Sequence, residues 1–310
     1  MSQYYKSKYT GTEIDNTLDK INGLVDLGVY SVNGMTGAVT GLANSNPNLL
    51  INPNFAINQR GQSVYNNTNA PTNNYTVDRW IHYANNAYTL TPITGGGATI
   101  VNSGASSVDF ANIIENGRYI IGSKTVTISI SVSNSIYYKS FSLASAGTSN
   151  SIGVTGEWTL YLEWTSGNVY KAWLRVYAGK TVTINWVKVE LGSVATAFVP
   201  PMTAEELTKC QRCGFPIESL RFRVRSCGYI PNSYIDFWIN APVSLRTSPT
   251  IATNGFTVAT LDSVEQSGFT FTIPIYASNG FMIRATKTNH GLTDAQLRTT
   301  SATFIDAEIY

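Results

Sequence analysis

The sequence predicts a mainly β chain: a short N-terminal helix, a two-sheet β-sandwich and a second, C-terminal β domain. Three observations carry that prediction. Aromatic residues are abundant (18 Tyr, 12 Phe, 6 Trp) while charged residues make up only 13% of the 310 positions, which with the many Thr, Ser, Val and Ile suits pleated, half-buried surfaces. Several runs alternate strictly between apolar and polar residues, the period of a strand with one face on a core. Gly, Asn, Ser and Pro clusters punctuate those runs as turns do.

Taken in order, "TGTEIDNTLDKINGLVDLG" (10–28) is the helix. Thr10 and Glu13 stand at capping-box spacing and Gly28 stops it. Ile14, Leu18, Ile21 and Val25 recur at intervals of four, three and four, a heptad seam about two repeats long. So short a helix is unstable alone in water, so the seam packs either on other copies of the chain or on the chain's own body. "VYSVNGMTGAVTGLANSNPN" (29–48) reads as a small extended or hairpin element followed by a linker ending at Pro47.

"NLLINPNFAINQRG" (48–61) opens the folded body: Leu49, Leu50 and Ile51 are expected to start a first strand, Asn52, Pro53 and Asn54 to turn the chain, and Phe55 and Ile57 to return to the core. From there to about Pro201 the alternation predicts a sandwich of about eight strands. "TVTISISVS" sets Val126, Ile128, Ile130 and Val132 on one face; "EWTLYLEW" sets Trp158, Leu160, Leu162 and Trp164 against Thr159, Tyr161 and Glu163; "KAWLRVYAG" sets Ala172, Leu174 and Val176 against Lys171, Trp173, Arg175 and Tyr177. Pro200 and Pro201 are expected to end the last strand, and Thr203 with Glu206 to cap a short helix in "TAEELTKCQRC". "RFRVRS", "SYIDFWIN", "FTFTIPIY" and "FMIRAT" then read as strands of the second domain. The resulting segments are 1–46, 47–202 and 203–310.

A formal net charge of +2, with charges scattered singly, offers no electrostatic footprint for nucleic acid and no polybasic membrane patch. No run approaches the roughly 18 apolar residues of a membrane-spanning helix, and "MSQYYKSKYTGTEI" lacks the apolar region of a signal peptide, so the expectation is cytoplasmic synthesis without membrane insertion. Cys210-x-x-Cys213 has metal or redox spacing, but a structural zinc needs four ligands, and beyond Cys227 only the distant His82 and His290 are available. Reduced thiols are expected, with neither a metal nor a cofactor. Glu157, Glu163 and Asp109 are carboxylates without a paired motif, "GASSV" is not a nucleophile elbow, and "TGGGAT" lacks a phosphate-binding Lys; no catalytic residue is assigned.

Asn48-Leu49-Leu50-Ile51-Asn52 with Phe55, "VDRW" at 77–80, "WVKVELGSVATAFVP" at 186–200, "EELTKCQRC", "APVSLRTSPTI" at 241–251 and "VNGMTGAVTGL" together resemble the domains of bacteriophage tail-fibre and receptor-binding proteins. Cys213 and Gly214 stand where those proteins usually carry two Tyr. The opening and closing strands also resemble those of jelly-roll carbohydrate-binding modules. The resemblance implies a structural virion fibre protein on the particle surface, a homotrimer wound through Ile14, Leu18, Ile21 and Val25, attached to other virion proteins by its N-terminal segment and adhering to host surface polysaccharide. Alternatives of the same origin are a head fibre or capsid decoration protein, and a capsule or lipopolysaccharide depolymerase. It also implies that in "VDRW" Trp80 is core while Asp78 and Arg79 satisfy local partners.

Sugar recognition needs aromatic faces and polar side chains held on a rigid surface. Tyr161 and Glu163 from one strand and Trp173, Arg175 and Tyr177 from another are the candidates, provided both strands share a sheet; the same face would equally suit packing on a neighbouring subunit. Trp80, Tyr83 and Tyr88 surround a single His82, read as a structural residue. Arg221, Arg223 and Arg225 form a basic row, read either as a contact for acidic groups or as a solvated strand face.

Overall fold

The computed structural model describes residues 12, 31–32, 35–36, 45–70, 73–83, 86–217, 221–224, 233–251, 255–260, 262–277, 279–299 and 303–308. The helical seam at Ile14, Leu18, Ile21 and Val25 lies outside them, as do Arg225 and Cys227. The chain divides into two compact units, Met1–Asn44 and Ser45–Tyr310. In the first, β1 (Ser31–Val32) and β2 (Met35–Thr36) pair antiparallel, with Val32 opposite Met35.

The second unit is mainly β. Its first part contains β3 (Tyr65–Asn66), β4 (Asn74–Tyr75), β5 (Ile81–His82), β6 (Tyr88–Pro92), β7 (Ala98–Asn102), β8 (Val108–Ile114), the four-residue helix α1 (Gly117–Ile120) and β9 (Thr125–Val132). There follow β10 (Ser135–Ser142), β11 (Thr148–Val154), β12 (Trp158–Trp164), β13 (Tyr170–Val176) and β14 (Thr181–Leu191). Among the described residues they form two six-stranded antiparallel sheets, ordered β10-β9-β14-β7-β6-β3 and β11-β12-β13-β8-β5-β4, consistent with the expected β-sandwich. Twelve strands stand among the described residues where about eight were expected; three of them, β3, β4 and β5, are only two residues long, too short to show a period.

One core lies between these sheets. Leu90, Ile100, Ile128, Ile130 and Val187 come from the first, and Phe110, Leu160, Leu162, Leu174 and Val176 from the second, with Phe55 stacked on Trp80 at 4.5 Å among them. The apolar rows of β12 and β13 thus point inward as their alternation predicts. Gly95, Gly96 and Gly97 turn the chain from β6 to β7 with φ of 88°, 123° and 97°, and a Cβ on Gly97 would stand 2.9 Å from the Ile184 carbonyl oxygen, so glycine is required there.

The outer side of the first sheet is covered over β9 and β14, while Ile136 and Tyr138 of β10 stay exposed. Thr127 and Ser129, on the polar face of β9, are buried, as are Lys188 and Glu190 on β14. Lys188 Nζ lies 3.1 Å from Glu190 and donates to Ser45, Thr196 and the Ala197 carbonyl, while Trp186 stacks on Phe198 at 4.7 Å. Two charges buried together need such partners, and these partners pin segments 45–48 and 193–198 against the sheet. The last strand therefore stops at Leu191, well before Pro200, and the chain leaves it as a strap.

The stretch 48–57 also departs from expectation. Leu50, Ile51, Phe55 and Ile57 are buried, yet no strand forms; Asn52 takes φ 55° and is itself fully buried. Its amide donates to the carbonyls of Ile57 and Asp78 and accepts from Ile57 N–H, and its own carbonyl accepts from the Trp80 indole at 2.9 Å. A buried side chain supplies the hydrogen bonds that a ladder would otherwise make.

Helix α2 (Thr203–Gln211) follows. No side chain caps it: Glu206 turns inward to accept from Asn52 N–H, which replaces the expected capping box. The remaining strands are β15 (Gly214–Ile217), β16 (Arg221–Val224), β17 (Tyr234–Asn240), β18 (Thr250–Ile251), β19 (Phe256–Ala259), β20 (Glu265–Gln266), β21 (Thr270–Ala277), β22 (Gly280–Thr286), β23 (Ala295–Thr299) and β24 (Thr303–Asp306). They form the sheets β15-β24-β18, β16-β23-β19-β20 and β17-β22-β21 around a separate core that includes Phe237, Val258, Phe281, Ile283 and Leu297.

Polar bonds tie the two cores together. Arg79, buried and at φ 71°, pairs with Glu308 and donates to Cys213 Sγ and to the Ile113 carbonyl. Its partners are thus distant, a correction to the local role implied for "VDRW"; Asp78 does bond locally, to Gln59. Glu115 pairs with both Arg212 at 3.3 Å and Arg246 at 3.4 Å.

Candidate functional site: the outer face of β8, β13 and β12

The strand register settles which side chains share a face. Trp173 stands opposite Tyr161 on one side and Ala111 on the other; Arg175 stands between Thr159 and Asp109; Lys171 stands between Glu163 and Ile113. All five candidates, Tyr161, Glu163, Trp173, Arg175 and Tyr177, are brought to this one half-buried surface. It is the surface that the strap of the other sheet leaves alone.

Three aromatic rings run across the strands. Trp173 lies nearly parallel to Tyr161 (5.7 Å, 8°) and is met on its other flank by Tyr83 (4.8 Å, 52°), which leans over the small Ala111. Tyr75, Ile81 and Ala111 form the buried cluster beneath Tyr83 and Trp173. Each ring contact contributes about 0.5–1.5 kcal/mol beyond the area it buries, so the row is a fixed platform.

The polar groups around it hold one another in place. The Trp173 indole donates to Glu163 at 2.7 Å, Arg175 grips Asp109 through two bonds of 2.7 and 2.8 Å, and Lys171 donates to the Tyr83 hydroxyl at 3.0 Å. Thr159 and Tyr177 share a hydroxyl bond of 3.3 Å. The bond to Asp109 raises the Arg175 pKa, keeping it charged, and burial pushes the Tyr161 phenol up to about 12, keeping it neutral. Among the described residues Lys171 has no carboxylate partner; its charge sits over the Tyr83 ring at 4.8 Å and the Trp173 ring at 5.4 Å.

Chemically this face can stack and hydrogen-bond. Its carboxylates Asp109 and Glu163 stand two strands and four residues apart, about 10 Å across and 13 Å along the sheet. That separation exceeds the roughly 5–10 Å of a glycosidase pair, and each carboxylate already has a partner. Tyr83 and Asp109 belong to this face as well, which the sequence alone does not assign. The signal for Asp109 is Val108-Asp109-Phe110 alone, because Asn112 and Ile113 break the alternation of β8, and which rows meet is set by inter-strand register, which no single strand displays.

Other candidates lie elsewhere. His82 is buried between Tyr88 (4.1 Å) and Phe110 (5.5 Å). Cys210 and Cys213 are buried and unbridged, and burial pushes the Cys213 thiol up to about 12. Among the described residues no group of His, Cys, Asp and Glu has the arrangement of a metal site, and no helix is long and apolar enough to cross a membrane. β16 carries Arg221 and Arg223, whose side chains are outside the description. Compared with known protein families and with curated proteins, the chain matches no family model and no curated sequence.

Proposed function

We propose that this protein is a fibre adhesin of a bacteriophage particle, a homotrimer that holds host surface polysaccharide on the outer face of β8, β13 and β12 and does not cleave it. The observation that carries the reading is the row Tyr83, Trp173 and Tyr161, fixed on a sheet with charged and hydroxyl groups on both sides. Apolar faces of pyranose rings pack on such a row, and the second oxygen of Glu163, the remaining N–H groups of Lys171 and the Tyr161 hydroxyl are placed to bond sugar hydroxyls. The pre-paired polar groups need little ordering on binding. In this reading the sandwich is of the jelly-roll type, the N-terminal seam winds three copies together, and three weak sites act as one through effective concentration.

Calorimetric titration with purified lipopolysaccharide and capsular polysaccharides, followed by sizing of the recovered glycan, tests it. Binding with unshortened chains, lost in folded Trp173→Ala, is the expected result. Shortened chains would turn the reading into a depolymerase, and undiminished binding by Trp173→Ala would move the site elsewhere.

A further inference from the structure

The two outer sides of the sandwich differ in charge. The face of β8, β13 and β12 carries Asp109, Glu163, Lys171 and Arg175. The opposite side, over β10, β9 and β14, sets Ile136, Ser131 and Trp186 in one row and Tyr138, Ser129 and Lys188 in the next. Its outward charges, Lys188 and Glu190, are paired with each other and buried. The strap across them, residues 192–202, contains no charged residue, and neither does the outward row of β10. This side therefore meets a partner without a free charge.

It is also apolar where it is open. Ile136 and Tyr138 of β10 are each 64% exposed, and Val194 and Val199 of the strap are 68% and 61% exposed. Phe198, next to Val199, stacks on Trp186, in the row of Ile136. Ser140 donates to the Ser193 carbonyl, which holds the other end of the strap beside β10. Apolar side chains scattered singly over a surface need no explanation, but several gathered on one side mark a contact.

We infer that this side is covered by a second copy of the chain: the β10 edge of one sandwich packs on the strap of the next, and the Trp173 faces turn outward to solvent. Charge selects that occupant, because an uncharged surface repeated in every copy brings no like-charge repulsion when copies meet, whereas the opposite face would bring charged groups together. A glycan fits poorly here, since Ser129 and Ser131 of β9 are buried and offer it few hydrogen bonds. The chain also enters the sandwich on this side. The Ser45 hydroxyl donates to the Ala197 carbonyl and accepts from Lys188, so residues 1–44, which carry the heptad seam, are joined to the sandwich next to the strap. A closed ring of three uses two different edges of each copy at every contact, and β10 and the strap supply them. The inference rests on the trimer reading and adds to it which face lies between the copies.

Hydroxyl-radical footprinting of the full chain and of Leu18→Asp, read at Tyr138 and Trp173 with the mass of each sample measured by light scattering, tests it. The expected result is labelling of Tyr138 that is at least severalfold slower in the unmodified trimer than in monomeric Leu18→Asp, with Trp173 labelled equally in both. Should Leu18→Asp stay trimeric, Tyr138→Glu, at an exposed position, decides: it sets a carboxylate against the apolar strap of the next copy. It is then expected to raise at least tenfold the concentration at which the trimer half-dissociates, while Tyr119→Glu, on the exposed side of α1, leaves that concentration unchanged. Equal labelling of Tyr138 in trimer and monomer, protection of Trp173 in its place, or a trimer indifferent to Tyr138→Glu would overturn the proposal and leave the trimer standing. Protection of Tyr138 that appears only when capsular polysaccharide is added would overturn it in favour of a glycan site. A monomer mass for the unmodified chain would remove this interface and the trimer together.

Discussion

At the scale of single residues, Asn52 and Arg79 show how much of this structure depends on side chains that replace backbone ladders. Asn52→Ala removes three side-chain hydrogen bonds and forces alanine into the left-handed region, so a loss of about 3 kcal/mol is expected. Asn52→Gly keeps the backbone and loses only the amide, and its melting temperature is expected to fall between those of Ala and the unmodified chain. Cys213 gives a pH test. Its folded value is raised by burial to about 12, so the neutral thiol favours the fold: that contribution is complete below the ordinary thiol range and is lost as pH rises through about 12. With Cys227→Ser in place, Cys210 and Cys213 are therefore expected to resist a thiol reagent at pH 8 until denaturant is added; rapid labelling of the folded protein would contradict this. The outward row of Trp173, Arg175 and Tyr177 was legible because alternation alone assigns it. Arg79 was not, because its partner Glu308 lies 229 positions away and no local pattern announces it.

At the scale of elements, β13 carries the contrast between fold and site on alternate residues. Leu174 is fully buried between the sheets, so Leu174→Ala is expected to cost about 2–5 kcal/mol. Trp173→Ala, on the half-exposed face, should cost about 1–2 kcal/mol through lost ring contacts and leave the far-ultraviolet spectrum unchanged. Equal losses would mean that the outer face is as much a core as the inner one. Asp109→Asn keeps the shape of the Arg175 partner but removes its charge; at 37% exposure of Arg175 the effect on stability is expected to stay below about 1 kcal/mol. The long strands β9, β12 and β13 were visible in the sequence and β3, β4 and β5 were not, since two residues cannot display a period of two. The strap after β14 was hidden for another reason: nothing local to Lys188 and Glu190 marks them as buried, and only the return of Thr196 and Ala197 onto them shows why both are.

At the scale of the whole molecule, the two cores of the second unit are joined by a buried ion pair. Glu308→Gln leaves the Arg79 charge without its counterion, and a loss of about 3–5 kcal/mol is expected; a change under 1 kcal/mol would mean that the cores are stable without each other. The trimer belongs to this scale too. Leu18→Asp is expected to reduce the mass seen by light scattering from three chains to one, whereas a monomer mass for the unmodified chain would remove the trimer from the proposal. The mainly β architecture and the separate C-terminal core were readable from alternation and turn clusters, while the ion pair that joins the cores arises only when distant segments meet. The central claim, that the Trp173 face holds host glycan, is tested most directly by a glycan array probed with the unmodified chain and with Trp173→Ala at matched concentration. The account expects binding to a defined set of surface glycans that weakens at least about tenfold, ~1.4 kcal/mol per site, in the variant; binding of the folded variant at undiminished strength would contradict it.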